Sequence, residues 1–229
     1  MTVIDTNEII LIAAPEILAI PVQENHDPLI DIRQDNQILI GPSPEIPDNT
    51  DYTKMRSEVY RRLLSAQKAL PDNLKFCLYE GYRSLSLQKT LFEERYRQIA
   101  ACHPDWRHQQ LFNETMKLIS PVLNLDGTPN IPPHATGAAI DVYLVDQNDC
   151  VVDMGLHPAD WLSDTDALLS ETDCKLISDQ AKKYRRIMCQ VLGEAGFVNY
   201  PTEYWHWSYG DRYWAYMTGR EHAIYGCYF

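Results

Sequence analysis

Two different spacings of apolar residues along the chain predict both helices and strands. From Thr53 apolar side chains recur at helical spacing until Pro71, which predicts a helix between these residues. In residues 74–79 and 140–145 apolar side chains occupy every second position, which predicts two strands. The first strand leads into a second predicted helix over residues 85–101, which Ser84 or Ser86 would cap.

The second half of the chain continues with helices, loops and strands. A third helix is predicted from Asp105, and the Pro-rich segment 120–133 predicts a loop. Residues 150–154 are a candidate return strand after a turn. The clearest helix begins after Ser178 and ends at Gly196, and the aromatic remainder predicts strand and loop.

The first fifty residues differ from the rest because they are rich in Pro, Asp, Asn and Ile and show little helical periodicity. Residues 8–12 and 37–40 predict short strands, and the prolines at 42, 44 and 47 predict a closing loop. We therefore expect an N-terminal extended arm over residues 1–50, packed on a single domain over residues 51–229.

Composition and charge narrow the possible functions. The chain has 229 residues and a formal net charge of −12, which disfavours binding to nucleic acid or to anionic lipid. No apolar run approaches the roughly 20 residues of a membrane span, and the N-terminus lacks the basic start of a secretory signal. We expect a cytoplasmic protein whose six cysteines are mostly buried, reduced thiols.

His134 and Asp141 form the first candidate for chemistry. His134 lies in the Pro-rich loop, Asp141 lies on the following strand, and Gly137 between them allows the chain to fold back. Neutral imidazole and carboxylate are ligands that zinc favours, and a catalytic zinc has three protein ligands. By itself the pair also fits a surface hydrogen bond or a turn.

Glu203 and His206 form the second candidate, in an aromatic segment. His206 offers a further imidazole, and Glu203 offers a carboxylate that would act as general base towards water. Residues three apart on a regular strand point to opposite faces, so Glu203 must lie in the turn after Pro201 to share a site with His206. The alternative is a buried aromatic strand whose histidine makes one hydrogen bond.

Arg83 is the third candidate, at the junction between the first strand and the second helix. A guanidinium there would stabilise an oxyanion or hold a substrate carboxylate. A surface ion pair with a nearby acid is the alternative.

Taken together, three motifs resemble the zinc D-alanyl-D-alanine dipeptidases, which are relatives of the vancomycin-resistance dipeptidase within the zinc D,D-peptidases. They are Gly81-Tyr82-Arg83, His134-x-x-Gly137-x-Ala139-x-Asp141 and Glu203-x-Trp205-His206, and the resemblance extends over residues 53–216. Each motif is weak by itself, but three in this order and spacing are specific.

The resemblance implies an α+β fold, in which helices pack on a small antiparallel sheet that carries the metal site. It implies one zinc ion per chain held by His134, Asp141 and His206, with Glu203 as the catalytic base and Arg83 as the group that stabilises the transition state. A further family segment begins at Asp153 and suggests Asp160 as the ligand of the substrate's ammonium group. The remaining candidates for substrate binding are Trp205 and Tyr82.

One departure from the family lies two residues before His134, where the family usually has serine and this chain has Pro132. The ligand set is intact, so we expect catalysis to be retained, whereas the serine hydroxyl's role must be filled in another way.

The function that the resemblance implies is zinc-dependent hydrolysis of the peptide bond of D-alanyl-D-alanine or a similar dipeptide. Its small-molecule substrate would be the chain's main partner. A D,D-carboxypeptidase or endopeptidase acting on peptidoglycan peptides is the nearest alternative. A non-catalytic zinc- or peptide-binding module is a further alternative, although such a module has no need for Glu203 and Arg83.

Overall fold

The computed structural model describes residues 9–164 and 168–228 and contains six α-helices in these ranges. The predicted strand over residues 8–12 lies partly outside them, and the described residues 9–12 form no strand. The helices are α1 (Pro15–Leu18), α2 (Ser57–Ala69), α3 (Leu85–Cys102), α4 (His108–Thr115), α5 (Asp179–Glu194) and α6 (Arg212–Met217).

Seven strands form two sheets in the described residues. The strands are β1 (Leu29–Asp31), β2 (Leu39–Ile40), β3 (Lys54–Arg56), β4 (Leu74–Glu80), β5 (Ala139–Asp146), β6 (Val198–Asn199) and β7 (His206–Ser208). The larger sheet has the order β2-β4-β5-β7-β6, and β1 pairs with β3 in a two-stranded sheet. The expected α+β fold is confirmed, with one difference from an antiparallel sheet, because β2 runs parallel to β4.

The two faces of the larger sheet have different roles. Side chains at every second position, including Phe76 of β4 and Val142 of β5, join the main core with α2 and α5. The intervening residues of the same strands, including Tyr79 and Tyr143, form a separate cluster on the opposite face. Asp141 is two residues before Tyr143, so it belongs to this second face, away from the main core.

Most predicted elements are present, but several begin elsewhere or have another form. The predicted helix from Thr53 begins at Ser57, because Lys54–Arg56 pair with β1 and the Arg56 amide donates to the Gly137 carbonyl. The helix predicted from Asp105 begins at His108. The candidate return strand is reduced to one bridge between Val151 and Val145. Helix α6 lies where strand and loop were expected, and the Asp211 carboxylate caps it by accepting from the Trp214 amide.

The first fifty residues make several contacts with the rest of the chain. Strand β2 pairs with β4, and Ile12 and Ile17 are buried against Tyr200 and Tyr213. The division into an arm and one domain stays a prediction. No helix in the described part of the chain is both long enough and apolar enough to span a bilayer.

Candidate metal centre

Asp141 and His206 are direct cross-strand partners in the antiparallel pair β5–β7. Directly opposed residues in such a pair project from the same face, with neighbouring Cβ atoms. The His206 Nδ1 atom lies 3.0 Å from the Asp141 Oδ1 atom. Two of the predicted ligands are therefore brought together by strand register.

His134 reaches the same place from the loop before β5. It lies in a single turn of 3₁₀-helix, Pro133–Thr136, which Gly137 ends with a φ of 69°. This left-handed conformation favours glycine, and a Cβ atom at Gly137 would also collide with the Leu29 side chain. The turn places the His134 Nε2 atom 3.1 Å from His206 Nδ1 and 3.4 Å from Asp141 Oδ1.

Hydrogen bonds to the far side of each ring fix which nitrogen faces the cluster. The His134 Nδ1–H group donates to the Gly81 carbonyl oxygen at 2.7 Å, which leaves the Nε2 lone pair directed at Asp141 and His206. His206 has the opposite arrangement, because its Nε2 atom lies 3.5 Å from the Ser208 hydroxyl and its Nδ1 atom faces the cluster.

This donor set fits a divalent cation. All three residues are buried, with 3–5% of their surface exposed, and no other His, Cys, Asp or Glu cluster in the described ranges forms a comparable group. Bonds of about 2.0–2.1 Å from zinc to nitrogen and oxygen would separate tetrahedral ligand atoms by about 3.3 Å. The three observed distances lie close to this value, and two imidazoles with one carboxylate are a ligand set that zinc favours.

The charge states of Asp141 and His206 also suit a metal site, whereas for His134 burial is outweighed by the charge and the hydrogen bond of Asp141, which raise the pKa. Burial by itself would raise the pKa of Asp141, but the two neighbouring imidazoles hold that pKa below its usual range, so the carboxylate is ionised. Burial lowers the pKa of His206, which favours the neutral imidazole that a metal binds.

Glu203 lies in the turn before β7, where the sequence placed it. Its Oε2 atom is 3.8 Å from His206 Nδ1, so the carboxylate is beside the ligands. Burial, followed by the charge of Asp141, raises the pKa of Glu203 well above its usual value. A carboxylate with a raised pKa is a better proton acceptor, which is the property that a general base needs.

Arg83 lines the same cavity as the three predicted ligands, and hydrogen bonds fix its orientation. Its Nε atom donates to Glu80 Oε1 at 2.8 Å, its Nη2 atom donates to the second oxygen of Glu80, and its Nη1 atom donates to Gln88 Oε1 at 3.0 Å. Glu80 is almost fully buried, and Gln88 is fixed in turn by donating to the Ser120 carbonyl at 2.7 Å. Sequence inspection identified Arg83 but missed both partners, although Glu80 is only three residues away.

Two small cavities meet at these residues. Cavity A has a volume of about 30 Å³ and cavity B about 20 Å³. Both cavities are lined by Arg83, Leu118, Asp141 and Glu203. Cavity A is completed by Ile12, Gln88, Ser120, Pro133, His134, Tyr200 and His206. Cavity B is completed by Glu45, Tyr79, Leu91, Ile119, Pro158, Trp161 and Trp205.

Of the three candidate substrate-binding residues, the structure places one in these cavities and two outside them. Trp205 lines cavity B. Tyr82 lies outside both cavities, where its hydroxyl donates to the Tyr228 carbonyl at 3.3 Å. Asp160 is exposed and lines a different cavity beside Tyr204, which none of the predicted metal ligands lines. Glu45 is a further acid that the structure brings to cavity B beside Asp141 and Glu203, and nothing local in its Pro-rich segment indicates this position.

Comparison with known proteins identifies relatives over most of the chain. A family model described as D-ala-D-ala dipeptidase matches residues 52–223. A D-alanyl-D-alanine dipeptidase from Synechocystis sp. is 27% identical over 228 residues, which cover 90% of this chain and 91% of the relative. Arg83, His134, Asp141, Glu203 and His206 all lie within the segment that the family model matches, whereas Glu45 lies before it.

Two solved structures are similar at low sequence identity. VanYB in complex with D-alanine-D-alanine has a TM-score of 0.45 and 15% identity, covering 79% of this chain and 85% of its own. The LdcB LD-carboxypeptidase has a TM-score of 0.41 and 16% identity, covering 85% of this chain and 73% of its own.

Proposed function

The chain belongs to the D-Ala-D-Ala dipeptidase family of peptidases, and from this premise we propose that it hydrolyses the peptide bond of D-alanyl-D-alanine, or of a similar dipeptide, with zinc as cofactor. The observation that carries the proposal is the convergence of His134, Asp141 and His206, with Glu203 Oε2 only 3.8 Å from a ligand nitrogen. Two imidazoles and one carboxylate as metal ligands, with a second carboxylate beside them as the base, are the groups that a hydrolytic zinc site needs.

Bound zinc supplies acidification of water and polarisation of a carbonyl group. The Glu203 carboxylate accepts a proton from the attacking water and afterwards delivers it to the leaving amine. Its burial beside Asp141 supports this role, because both raise its proton affinity.

Arg83 faces the same reacting group. Its guanidinium lines both cavities, and Glu80 and Gln88 fix its orientation. We assign to it the stabilisation of negative charge that develops on the carbonyl oxygen during attack. The positive charge of Arg83 is already in position before the reaction, so the site needs little reorganisation as the negative charge develops.

The dimensions of the site support a short substrate. Cavities A and B are small and meet at the residues assigned to catalysis. A dipeptide whose peptide bond lies at this meeting point directs one residue into each cavity. Cavities of about 30 and 20 Å³ leave room only for small groups, which suits a short substrate better than a longer peptide.

Product analysis tests the proposal directly. Zinc-loaded protein should release D-alanine from D-Ala-D-Ala and leave L-Ala-L-Ala and N-acetyl-D-Ala-D-Ala largely uncleaved, and a chelator should abolish the activity until zinc is restored. Equal hydrolysis of the acetylated compound would instead favour a carboxypeptidase, and no hydrolysis of any of the three would contradict the proposal. The expected cytoplasmic location stays part of the proposal, which immunodetection in cell fractions would test.

A further inference from the structure

Glu45 brings a carboxylate into cavity B that the proposed reaction does not use. The residue belongs to the Pro-rich segment between β2 and β3, and its side chain is partly buried. The other carboxylates that line cavity B are Asp141 and Glu203, which are assigned to metal binding and proton transfer. Among the described residues, Glu45 is therefore the one acid in cavity B without an assigned role.

Apart from Arg83, whose charge is paired with Glu80, the remaining walls of cavity B suit a cation. Tyr79 and Trp205 contribute aromatic side chains, and the faces of such rings attract ammonium groups, whereas Trp161 is hydrogen-bonded to the Glu45 carboxylate. Burial, followed by the charge of Glu80, raises the pKa of Glu45, so a bound cation would offset the cost of keeping this carboxylate ionised. A substrate carboxylate in the same position would instead be repelled.

In the described part of the chain, cavity A contains no further acid. Its polar wall residues that are not assigned to catalysis or metal binding are Gln88, Ser120 and Tyr200, which are uncharged. Glu45 does not line it. A dipeptide zwitterion is therefore better accommodated with its amino end in cavity B and its carboxylate end in cavity A.

We propose that Glu45 binds the free ammonium group of the substrate in cavity B and thereby makes the enzyme selective for dipeptides over N-blocked peptides. This inference rests on the proposed function and assigns its amino-end specificity to a residue of the N-terminal segment. It replaces Asp160 in this role, because Asp160 is exposed and lines a separate cavity.

Steady-state kinetics of Glu45→Gln test the proposal. The substitution removes the charge with little change in size, so KM for D-Ala-D-Ala should rise roughly tenfold or more, because an ion pair in a largely enclosed cavity is lost. The inhibition constant of N-acetyl-D-Ala-D-Ala, which has no ammonium group, should stay unchanged. If the substitution only disturbed the structure of the cavity, the protein would bind both compounds more weakly.

Three further variants complete the experiment. Glu45→Asp retains the charge and should keep KM within about threefold of the wild type. Asp48→Asn removes an exposed acid three residues away and is the matched control. Asp160→Asn tests the rival residue, and a rise in KM there with none in Glu45→Gln would overturn the proposal.

The outcomes separate this inference from the function on which it rests. Wild-type protein that hydrolyses D-Ala-D-Ala while Glu45→Gln keeps its preference for the free amine would refute only the role of Glu45. Zinc-loaded wild-type protein that does not hydrolyse D-Ala-D-Ala would refute the function and the inference together.

Discussion

The Gly81 carbonyl oxygen accepts a hydrogen bond from His134 Nδ1 at 2.7 Å, two residues before Arg83. The Arg83 amide in turn donates to the His134 carbonyl at 3.2 Å. These two bonds join the segment that carries Arg83 to the segment that carries His134. The orientation of the imidazole and the position of Arg83 are consequently set by the same backbone.

Gly81→Ala should disturb the metal centre without altering any ligand. A Cβ atom at Gly81 would collide with the Lys54 carbonyl oxygen, so the segment must shift and its bond to His134 must weaken. Loss of such a supporting bond typically reduces metal affinity about 10–100-fold, which zinc titration against a competing chelator would measure. Gly193→Ala is the control, since it lies on the exposed side of α5 with open space around it. Unchanged zinc affinity in Gly81→Ala would contradict this account.

His206→Ala should abolish stoichiometric zinc binding. Removing the imidazole leaves two of three protein ligands, and the remaining carboxylate and imidazole hold zinc much more weakly. Metal analysis after gel filtration would measure the zinc content, with His222→Ala as a control outside the ligand set. One zinc per chain in the His206 variant would show that the ligand assignment is incorrect.

Glu203→Gln should retain zinc and lose hydrolysis. The amide cannot accept the proton from water, and general-base catalysis typically contributes about 10²–10⁴-fold to the rate. Rate measurement together with metal analysis distinguishes this result from loss of the ligands. Glu221→Gln, at an exposed position, provides the control. Activity within a few-fold of the wild type would refute the assignment of Glu203 as the base.

Arg83→Lys should lower kcat although the positive charge is kept. Lysine cannot reproduce the paired bonds to Glu80 and the bond to Gln88, so the charge is no longer held in one position. We expect kcat to fall roughly 100–1000-fold, as for the loss of one oxyanion donor, with a smaller change in KM. The corresponding substitution Arg97→Lys, on the exposed face of α3, should have little effect. A kcat equal to that of the wild type would exclude the proposed role.

Asp31 should contribute stability that disappears in acid. The Arg33 side chain holds the pKa of Asp31 at about 2, below its ordinary value of 3.8. Because the folded-state pKa is lowered, this stability is present above about pH 4 and is lost as the pH falls through about 2. The pair is partly exposed, so its contribution is about 1 kcal/mol or less.

Asp31→Asn measures this contribution by denaturant unfolding at several pH values. The free energy of unfolding should be lower than that of the wild type near neutral pH, and the difference should narrow towards pH 2. A difference that stays constant over this range would show that the charge of Asp31 is not responsible.

How far the sequence predicts this molecule depends on how local the relevant signal is. His134, Asp141, Glu203 and His206 occur in short motifs with informative spacing, and the structure brings all four together. The start of α2 was predicted too early because the pairing of β3 with β1 is a long-range interaction that helical spacing does not contain.

The position of Glu45 likewise depends on long-range packing that the local sequence does not reveal. Its neighbours are prolines and a loop, and its place in cavity B depends on how that loop packs beside Trp161 and Arg83. Asp160 illustrates the converse, since a motif suggested a role while the fold leaves its side chain exposed. Motifs identify groups that act together within a few residues, whereas cavity walls are assembled by tertiary packing.

The separation of the ligands along the chain has a further consequence. His134 and His206 are 72 residues apart, so one metal ion joined to both would act as a cross-link that closes a long loop. Such a loop restricts the unfolded chain, and part of the metal-binding free energy becomes free energy of folding. Zinc bound in this site would therefore stabilise the fold as well as act as a cofactor. Its removal should lower the melting temperature of the protein.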